Sequence, residues 1–220
     1  MRTPGTTIDR RRAKRAGFTL IELLAVILII GILATILITQ LGGAEDAANV
    51  QTTKQKLGTL EVVLDAYDRD KGDYPSSTFT ADQGVANDGL NVGIEALVVA
   101  LWSNGYEAGG HLGDEVDRLQ NVDGDFSGTS LTDFGTRGLF EIADAWGNPL
   151  AYFHHRDYEV KDRPYLTHHP DTGAEIQSAP RAFFNAATGR YYAHDSFQLI
   201  SAGEDAIFGT PDDITKFDRE

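Results

Sequence analysis

The sequence contains no cysteine among its 220 residues. This absence excludes a disulfide framework and any thiolate metal site, although it leaves the redox compartment open. Proline is also absent between Phe18 and Tyr74, so no residue of that type interrupts a helical pattern there. The fold must therefore be held by packing, to which a bound hard cation could add stability.

Positive charge is scarce outside residues 1–17. These residues carry six basic side chains and one acid, a net charge of +5, whereas the whole chain carries −14 and the remainder therefore −19. The basic residues are Arg2, Arg10, Arg11, Arg12, Lys14 and Arg15. The acidic body argues against nucleic-acid binding, which needs a basic surface. An acidic surface could bind a divalent cation, or it could simply keep the protein soluble. The chain is long enough for one globular domain and an anchor.

A long apolar run follows the basic leader. Residues 18–40, FTLIELLAVILIIGILATILITQ, number 23 and as a helix would span roughly 35 Å, enough to cross a bilayer. The leader would then stay cytoplasmic and the body would be exported. A secretory signal peptide fits poorly, because the run is long and lacks a clear cleavage pattern. A plain anchor explains the length but not Glu22, unless this acid snorkels to the cytoplasmic surface.

The stretch RAGFTLIELLAVILIIGILA resembles the N-terminus of type IV pilins and type II secretion pseudopilins. The resemblance implies that a prepilin peptidase cuts between Gly17 and Phe18, and that the new N-terminal Phe18 is methylated. It also implies a role for Glu22. In a filament of bundled helices, its carboxylate would pair with the N-terminal amine of a neighbouring subunit and set the axial register.

The segment after Gly42 and Gly43 is amphipathic, with apolar residues on one helical face. We therefore predict one helix from about residue 18 to about residue 70. Its first half would lie in lipid, and its second half would pack on the globular domain. The stretch IEALVVALW predicts a short helix over 92–103, and a further short helix is expected around 139–143.

Two apolar stretches, LAYFHH (150–155) and SFQLIS (196–201), predict strands. The stretches YDRDKGDYP, GIEALV and DAWGNPLAY resemble the major, protein G type pseudopilins of type II secretion. This resemblance implies an α+β, pilin-like fold in which a long N-terminal helix packs on a small antiparallel β-sheet.

The middle of the chain gives weaker signals. Residues 104–140 read as long loops, and within them residues 121–133 resemble a calcium loop but lack the Gly and Glu that an EF-hand requires. A solvated acidic turn is the favoured interpretation. Residues 156–190 form a polar insertion with no functional account. Two histidine pairs, 154–155 and 168–169, invite a zinc hypothesis, but neighbours in a strand point to opposite faces, so each pair should offer one ligand. Surface or packing histidines are favoured.

The C-terminal stretch SAGEDAIFGTPDDI gathers acids between glycines. Ca²⁺ takes about six to eight oxygen ligands, and such a loop offers both carboxylates and carbonyls; the alternative is an exposed acidic tail. The stretch also resembles the calcium loop that closes major pseudopilins. The resemblance implies Ca²⁺ ligands at Asp205, Asp212 and Asp213, with carbonyls near Ile200 and Ala202. Ala206 stands where the family usually has glycine.

The resemblance implies a structural subunit, not an enzyme. Residues 1–17 would be a cleaved leader, 18–43 a transmembrane and filament-core helix, and 44–220 a periplasmic pseudopilin domain. The subunit would leave the inner membrane for a helical homo-oligomeric pseudopilus that drives protein export across the outer membrane. Its partners would be the prepilin peptidase, other pseudopilins and the inner-membrane assembly platform, with no nucleic acid. The alternatives are a minor pseudopilin, a type IV pilin for adhesion, motility or DNA uptake, and a membrane-tethered periplasmic enzyme.

Overall fold

The computed structural model describes residues 18–85, 88–103, 106 and 119–217, without the side chains of residues 37–44 and 82. Contacts within the chain divide it into two units, Met1–Ala44 and Glu45–Glu220. The buried core lies in the second unit, which is called the body below.

The first element is the 52-residue helix α1, Leu20–Lys71, which confirms the predicted helix to within two residues at each end. It passes through Gly42 and Gly43 without a break. In the body its apolar stripe is buried, with Leu57, Leu60 and Leu64 at most 1% exposed. The helix ends where Gly72 adopts a left-handed conformation at φ 81°, a conformation that glycine reaches without steric cost.

The second helix, α2, spans Val92–Leu101, so the predicted helix is confirmed but ends two residues earlier. Eight of its ten residues are buried, because its sequence is apolar on nearly every face and it shares one core with α1 and the strands. Asn91 precedes the helix in a left-handed conformation at φ 49°. Its backbone N–H donates to the carbonyl of Pro164, which ties the start of α2 to the later chain.

The nine strands are short and form four separate antiparallel sheets in the described part of the chain. The central sheet has the order β3-β8-β9, and β1-β2, β4-β5 and β6-β7 form two-stranded sheets. The bounds are Leu119–Gln120 (β1), Glu141–Ile142 (β2), Ala151–His154 (β3), Tyr165–His168 (β4), Glu175–Ser178 (β5), Phe184–Asn185 (β6), Arg190–Tyr191 (β7), Phe197–Ser201 (β8) and Ile214–Thr215 (β9). The predicted α+β fold with small antiparallel sheets is confirmed.

The helix expected around residues 139–143 is wrong, because this segment holds strand β2. Glu141 and Ile142 pair with Gln120 and Leu119 of β1, and both residues of β2 are buried. A distant partner strand therefore overrides the local pattern. The two predicted strands are confirmed as β3 and β8, which pair along their length from Ala151 opposite Ile200 to His154 opposite Phe197.

The polar insertion 156–190 folds onto the body through the hairpin β4-β5. Tyr165 and Thr167 of β4 are fully buried and alternate with half-exposed residues, as expected for a strand with one face on the core. Just before β4, the buried guanidinium of Arg163 donates to the carbonyl of Ser77 at 3.0 Å and lies 3.2 Å from the carboxylate of Asp157. The insertion is thus attached by specific polar contacts.

Across the described ranges, no helix combines the length and apolarity needed to cross a membrane. The transmembrane half over 18–43 stays a prediction.

Candidate functional site

Two of the predicted site residues, Phe18 and Glu22, lie at the N-terminal end of α1. Gly17 lies outside the described residues, and Phe18 is 85% exposed. Glu22 lies in the first turn, where its Oε2 accepts hydrogen bonds from the backbone N–H of Thr19 at 2.8 Å and from the Thr19 hydroxyl at 2.7 Å. In return, the Thr19 hydroxyl oxygen accepts the backbone N–H of Glu22 at 3.3 Å.

This reciprocal pair is a capping box, in which Thr19 and Glu22 satisfy backbone N–H groups that the first helical turn leaves without partners. Sequence reasoning missed it, although the pattern Thr-x-x-Glu before an apolar run is its usual signal. Glu22 therefore has a role in the single chain in addition to any role between chains.

The apolar side chains that follow are exposed on all faces of α1. Thirteen large apolar side chains between Phe18 and Ile36 have exposed fractions of 45% to 85%. They are Phe18, Leu20, Ile21, Leu23, Leu24, Val26, Ile27, Leu28, Ile29, Ile30, Ile32, Leu33 and Ile36. An apolar surface of this extent is unfavourable in water and marks a place that lipid or protein covers.

The C-terminal loop, residues 201–213, brings Asp205 and Asp212 together. The backbone N–H of Asp205 donates to Asp212 Oδ2 at 3.1 Å, and Asp205 Oδ1 accepts the N–H of Ile207 at 2.8 Å. Gly203 makes this fold possible, since a Cβ there would lie 2.5 Å from the carbonyl oxygen of Asp212. Burial opposes ionisation of Asp212, but hydrogen bonds from Thr210 and Asp205 outweigh it and lower the pKa of this carboxyl.

Asp213 lies in the same loop but points elsewhere. It is 4% exposed, and its Oδ2 accepts the N–H of Gly209 at 2.9 Å. The loop is anchored at its start by Ser201, whose hydroxyl donates to the buried Asp144 Oδ2 at 2.6 Å. Among the described residues, the groups of three acids or histidines with ligand atoms within 4.8 Å do not include these three aspartates. Calcium binding by this loop stays a prediction.

Ala206 occupies the position where the family usually has glycine. Its φ is 58°, in the left-handed region that costs an alanine about 1 kcal/mol relative to glycine. The residue is fully buried, and its carbonyl accepts the hydroxyl of Thr167 at 2.6 Å. The backbone at Ala206 therefore has the left-handed conformation that glycine usually adopts.

The expectation that each histidine pair offers one ligand is wrong for His154 and His155. Their ring centroids lie 4.2 Å apart, because β3 ends at His154 and a one-turn 3₁₀ helix begins at His155. With Asp73 they form a group of potential ligands within 4.8 Å. However, the Arg156 guanidinium already contacts Asp73 at 2.6 Å and supplies the positive charge there. Burial lowers the pKa of His154. A packing role is favoured over a zinc site.

Comparison with known proteins supports the resemblance to pilins and pseudopilins. Residues 12–38 match the family described as the prokaryotic N-terminal methylation motif. The chain is 26% identical over 208 residues to the type II secretion system core protein G of Escherichia coli (strain K12), covering 94% of each chain. Both matches support the pseudopilin family. Pseudopilins are structural subunits, and the chain is not an enzyme.

Other relatives match this chain over a shorter length. The core protein G of Klebsiella michiganensis is 40% identical over 75 residues, which is 34% of this chain and 50% of that one. The core protein G of Pseudomonas aeruginosa is 37% identical over 67 residues, 30% of this chain and 47% of that one. In these two comparisons the chain spans about half the length of the relative that it matches. No solved structure matches.

Proposed function

We propose that the chain is a structural subunit of a type II secretion pseudopilus and polymerises through the N-terminal half of α1. The observation that carries the proposal is the exposed apolar surface between Phe18 and Ile36, which lies within the segment that matches the methylation motif. A body of 176 residues, Glu45–Glu220, already has its own core and does not need this surface to fold. Lipid covers the surface in the single subunit, and neighbouring helices cover it in the filament.

The assembly begins with processing in the inner membrane. A prepilin peptidase cuts between Gly17 and Phe18, and Phe18 becomes the methylated N-terminus. The basic leader stays cytoplasmic and the body enters the periplasm. Other pseudopilins and the inner-membrane assembly platform then incorporate the subunit into a growing helical filament, which drives folded proteins across the outer membrane.

Glu22 acts at two levels in this proposal. In the single subunit it closes the capping box through Oε2. In the filament its remaining oxygen, Oε1, pairs with the α-amine of Phe18 on a neighbouring subunit, an amine that exists only after cleavage. A charged pair among apolar helices fixes one axial register, because any other register leaves the carboxylate buried without a partner.

Two substitutions separate the cap from the charge. Glu22→Gln keeps an acceptor for the Thr19 N–H, because glutamine also serves in capping boxes, but it removes the charge. Thr19→Ala removes the hydroxyl of the cap and keeps the charge, at a cost of roughly 0.5–2 kcal/mol to the start of the helix. We expect few filaments from Glu22→Gln and near-normal filament numbers from Thr19→Ala, counted by electron microscopy of cells that overproduce the subunit. Normal assembly of Glu22→Gln would contradict the role of the charge.

We also propose that the C-terminal loop binds Ca²⁺ through Asp205, Asp212 and Asp213. The proximity of Asp205 to Asp212 supports this, as does the acidity of Asp212, which stays ionised and available to a cation. Millimolar Ca²⁺ should raise the melting temperature of the wild-type protein. Asp205→Asn combined with Asp212→Asn should reduce the gain while keeping hydrogen-bond acceptors in the loop. An unchanged gain in the double variant would place the ion elsewhere.

A further inference from the structure

Five carboxylates from distant parts of the sequence meet beside the start of α2. Ligand atoms of Asp88, Asp123 and Asp125 lie within 4.8 Å of one another, and so do those of Glu95, Asp123 and Glu141. Asp123 belongs to both groups, so the five acids form one acidic cluster. The acids come from the approach to α2, from α2 itself, from the loop after β1 and from β2.

Buried polar contacts fix the inner wall of the acidic cluster. The side-chain amide of Asn91 donates to Asp123 Oδ2 at 3.0 Å and to Glu141 Oε1 at 3.1 Å. The other oxygen of Glu141 accepts the backbone N–H of Val122 at 2.9 Å. Asn91 and Glu141 are both fully buried. The carboxylates of Asp123 and Glu141 are therefore held in position.

Asp125 provides the observation that points to a ligand. Both of its carboxylate oxygens are buried and have no hydrogen-bond partner. Its backbone is fixed from both sides by Asn121, whose Oδ1 accepts the N–H of Asp125 at 3.0 Å and whose Nδ2 donates to its carbonyl at 2.8 Å. The tight turn therefore directs this carboxylate towards Asp88 and Asp123. Buried carboxylates are normally hydrogen-bonded, paired or bound to a metal.

Within the described part of the chain, no lysine or arginine forms an ion pair with Asp88, Asp123, Asp125 or Glu141. Burial and the charges of the neighbouring acids raise the pKa of Asp125 to about 7 and that of Glu141 to about 8. A bound cation would reverse this effect, because it favours the ionised form of each acid.

We propose that the acidic cluster binds one Ca²⁺ ion, with Asp88, Asp123 and Asp125 as its principal ligands and Glu141 behind them. Oxygen ligands on opposite sides of Ca²⁺ lie about 4.6–5.2 Å apart, since each Ca–O distance is about 2.3–2.6 Å. This spacing agrees with ligand atoms that all lie within 4.8 Å of one another. Mg²⁺ requires shorter bonds and a stricter octahedron, and zinc and copper sites favour nitrogen or sulfur, which the cluster lacks.

The proposed site is an alternative to the interpretation of residues 121–133 as a solvated acidic turn. Asn121, Asp123 and Asp125 form a compact turn as in a calcium loop. The remaining acids come from residues 88 and 141, whereas an EF-hand loop would take its last ligand from position 132. A linear motif therefore does not reveal the site. The bound ion would join the segment before α2 to the β1-β2 hairpin. The proposal does not depend on filament assembly.

Calcium titration of the full-length protein in detergent by isothermal calorimetry tests the proposal. The titration is made with Asp205→Asn and Asp212→Asn already present, so that the C-terminal loop does not contribute. We expect one equivalent of Ca²⁺ per chain in this background. Adding Asp123→Asn and Asp125→Asn should weaken binding at least tenfold. The matched control adds Asp162→Asn and Asp171→Asn, which remove the same charge from exposed positions and should leave the affinity unchanged.

A single substitution guards against a variant that fails to fold. Asp88 is exposed, and Asp88→Asn keeps the oxygen that accepts the N–H of Leu90 at 2.8 Å. It should weaken Ca²⁺ binding about tenfold and leave the tryptophan fluorescence unchanged. Unchanged calcium affinity in Asp88→Asn, or an equal loss in the matched control, overturns the proposal. Magnesium that binds as tightly as calcium overturns the choice of ion.

Discussion

The packing of α2 against the sheet predicts opposite effects for two glycine-to-alanine substitutions. Gly93, in the first turn of α2, has no room for a side chain. An added Cβ would lie 2.4 Å from the carbonyl oxygen of Tyr152 and 2.5 Å from the hydroxyl of Tyr165. Gly58, in the interior of α1, has nothing within 4 Å of the same added atom. Both residues are helical, so the difference between them isolates the close approach.

The magnitudes follow from these contacts. Gly93→Ala forces the strand or the tyrosine ring to move, which costs about 1–3 kcal/mol for overpacking. The shift also breaks the buried hydrogen bond from the Tyr152 N–H to the Tyr165 hydroxyl, 3.2 Å long, at a further cost of about 1–3 kcal/mol. We expect a total loss of about 2–6 kcal/mol in the free energy of unfolding. Gly58→Ala should instead gain about 0.5–1 kcal/mol, because alanine loses less backbone freedom in a helix.

Thermal unfolding followed by tryptophan fluorescence measures both effects. The two tryptophans of the chain, Trp102 and Trp146, lie in the body, so the signal reports its core. For a domain of this size, about 2–4 °C of melting temperature corresponds to 1 kcal/mol. Gly93→Ala should lower the melting temperature by about 4–24 °C, and Gly58→Ala should raise it by about 1–4 °C. A neutral Gly93→Ala would refute the described contact between α2 and β3.

Two further predictions concern polar groups in the body. Arg163→Met should lower the free energy of unfolding, measured by chemical denaturation, by about 2–4 kcal/mol, because it leaves the Ser77 carbonyl and the Asp157 carboxylate without the buried guanidinium. A loss below about 0.5 kcal/mol would show that the insertion is not anchored there. In the presence of a chelator, the melting temperature should fall as the pH rises from about 5 to about 8. The reason is that the pKa of Asp125 is about 7 and that of Glu141 is about 8 in the folded chain, and both lie above the values in the unfolded chain. Saturating Ca²⁺ should remove this fall, and a chelated protein that gains stability over the same pH window would contradict the described burial of these acids.

The helices and the central strands were predictable because their signals are local. The first half of α1 is a continuous apolar run, its second half carries an apolar stripe, and α2 is an apolar run of helical length. The strands β3 and β8 are apolar stretches that follow a turn or a polar segment. The Gly17–Phe18 junction and Glu22 belong to one linear motif. None of these predictions required knowledge of which residues meet in space.

The remaining features depend on contacts between distant residues. Strand β2 is two residues long and is defined by its pairing with β1 about twenty residues earlier, so its own sequence does not specify it. His154 and His155 approach each other because the strand ends between them. The acidic cluster combines residues from 88 to 141, and only the fold brings its carboxylates together.

The proposed assembly requires that a prepilin peptidase first matures the chain. Mass spectrometry of the N-terminal peptide, after the full-length chain and a type II prepilin peptidase are produced together, measures this step. We predict a chain that begins at Phe18 with a methylated α-amine, and an uncut chain for Gly17→Ala. Wild-type protein that keeps residues 1–17 in the presence of an active peptidase would contradict the proposed maturation and assembly.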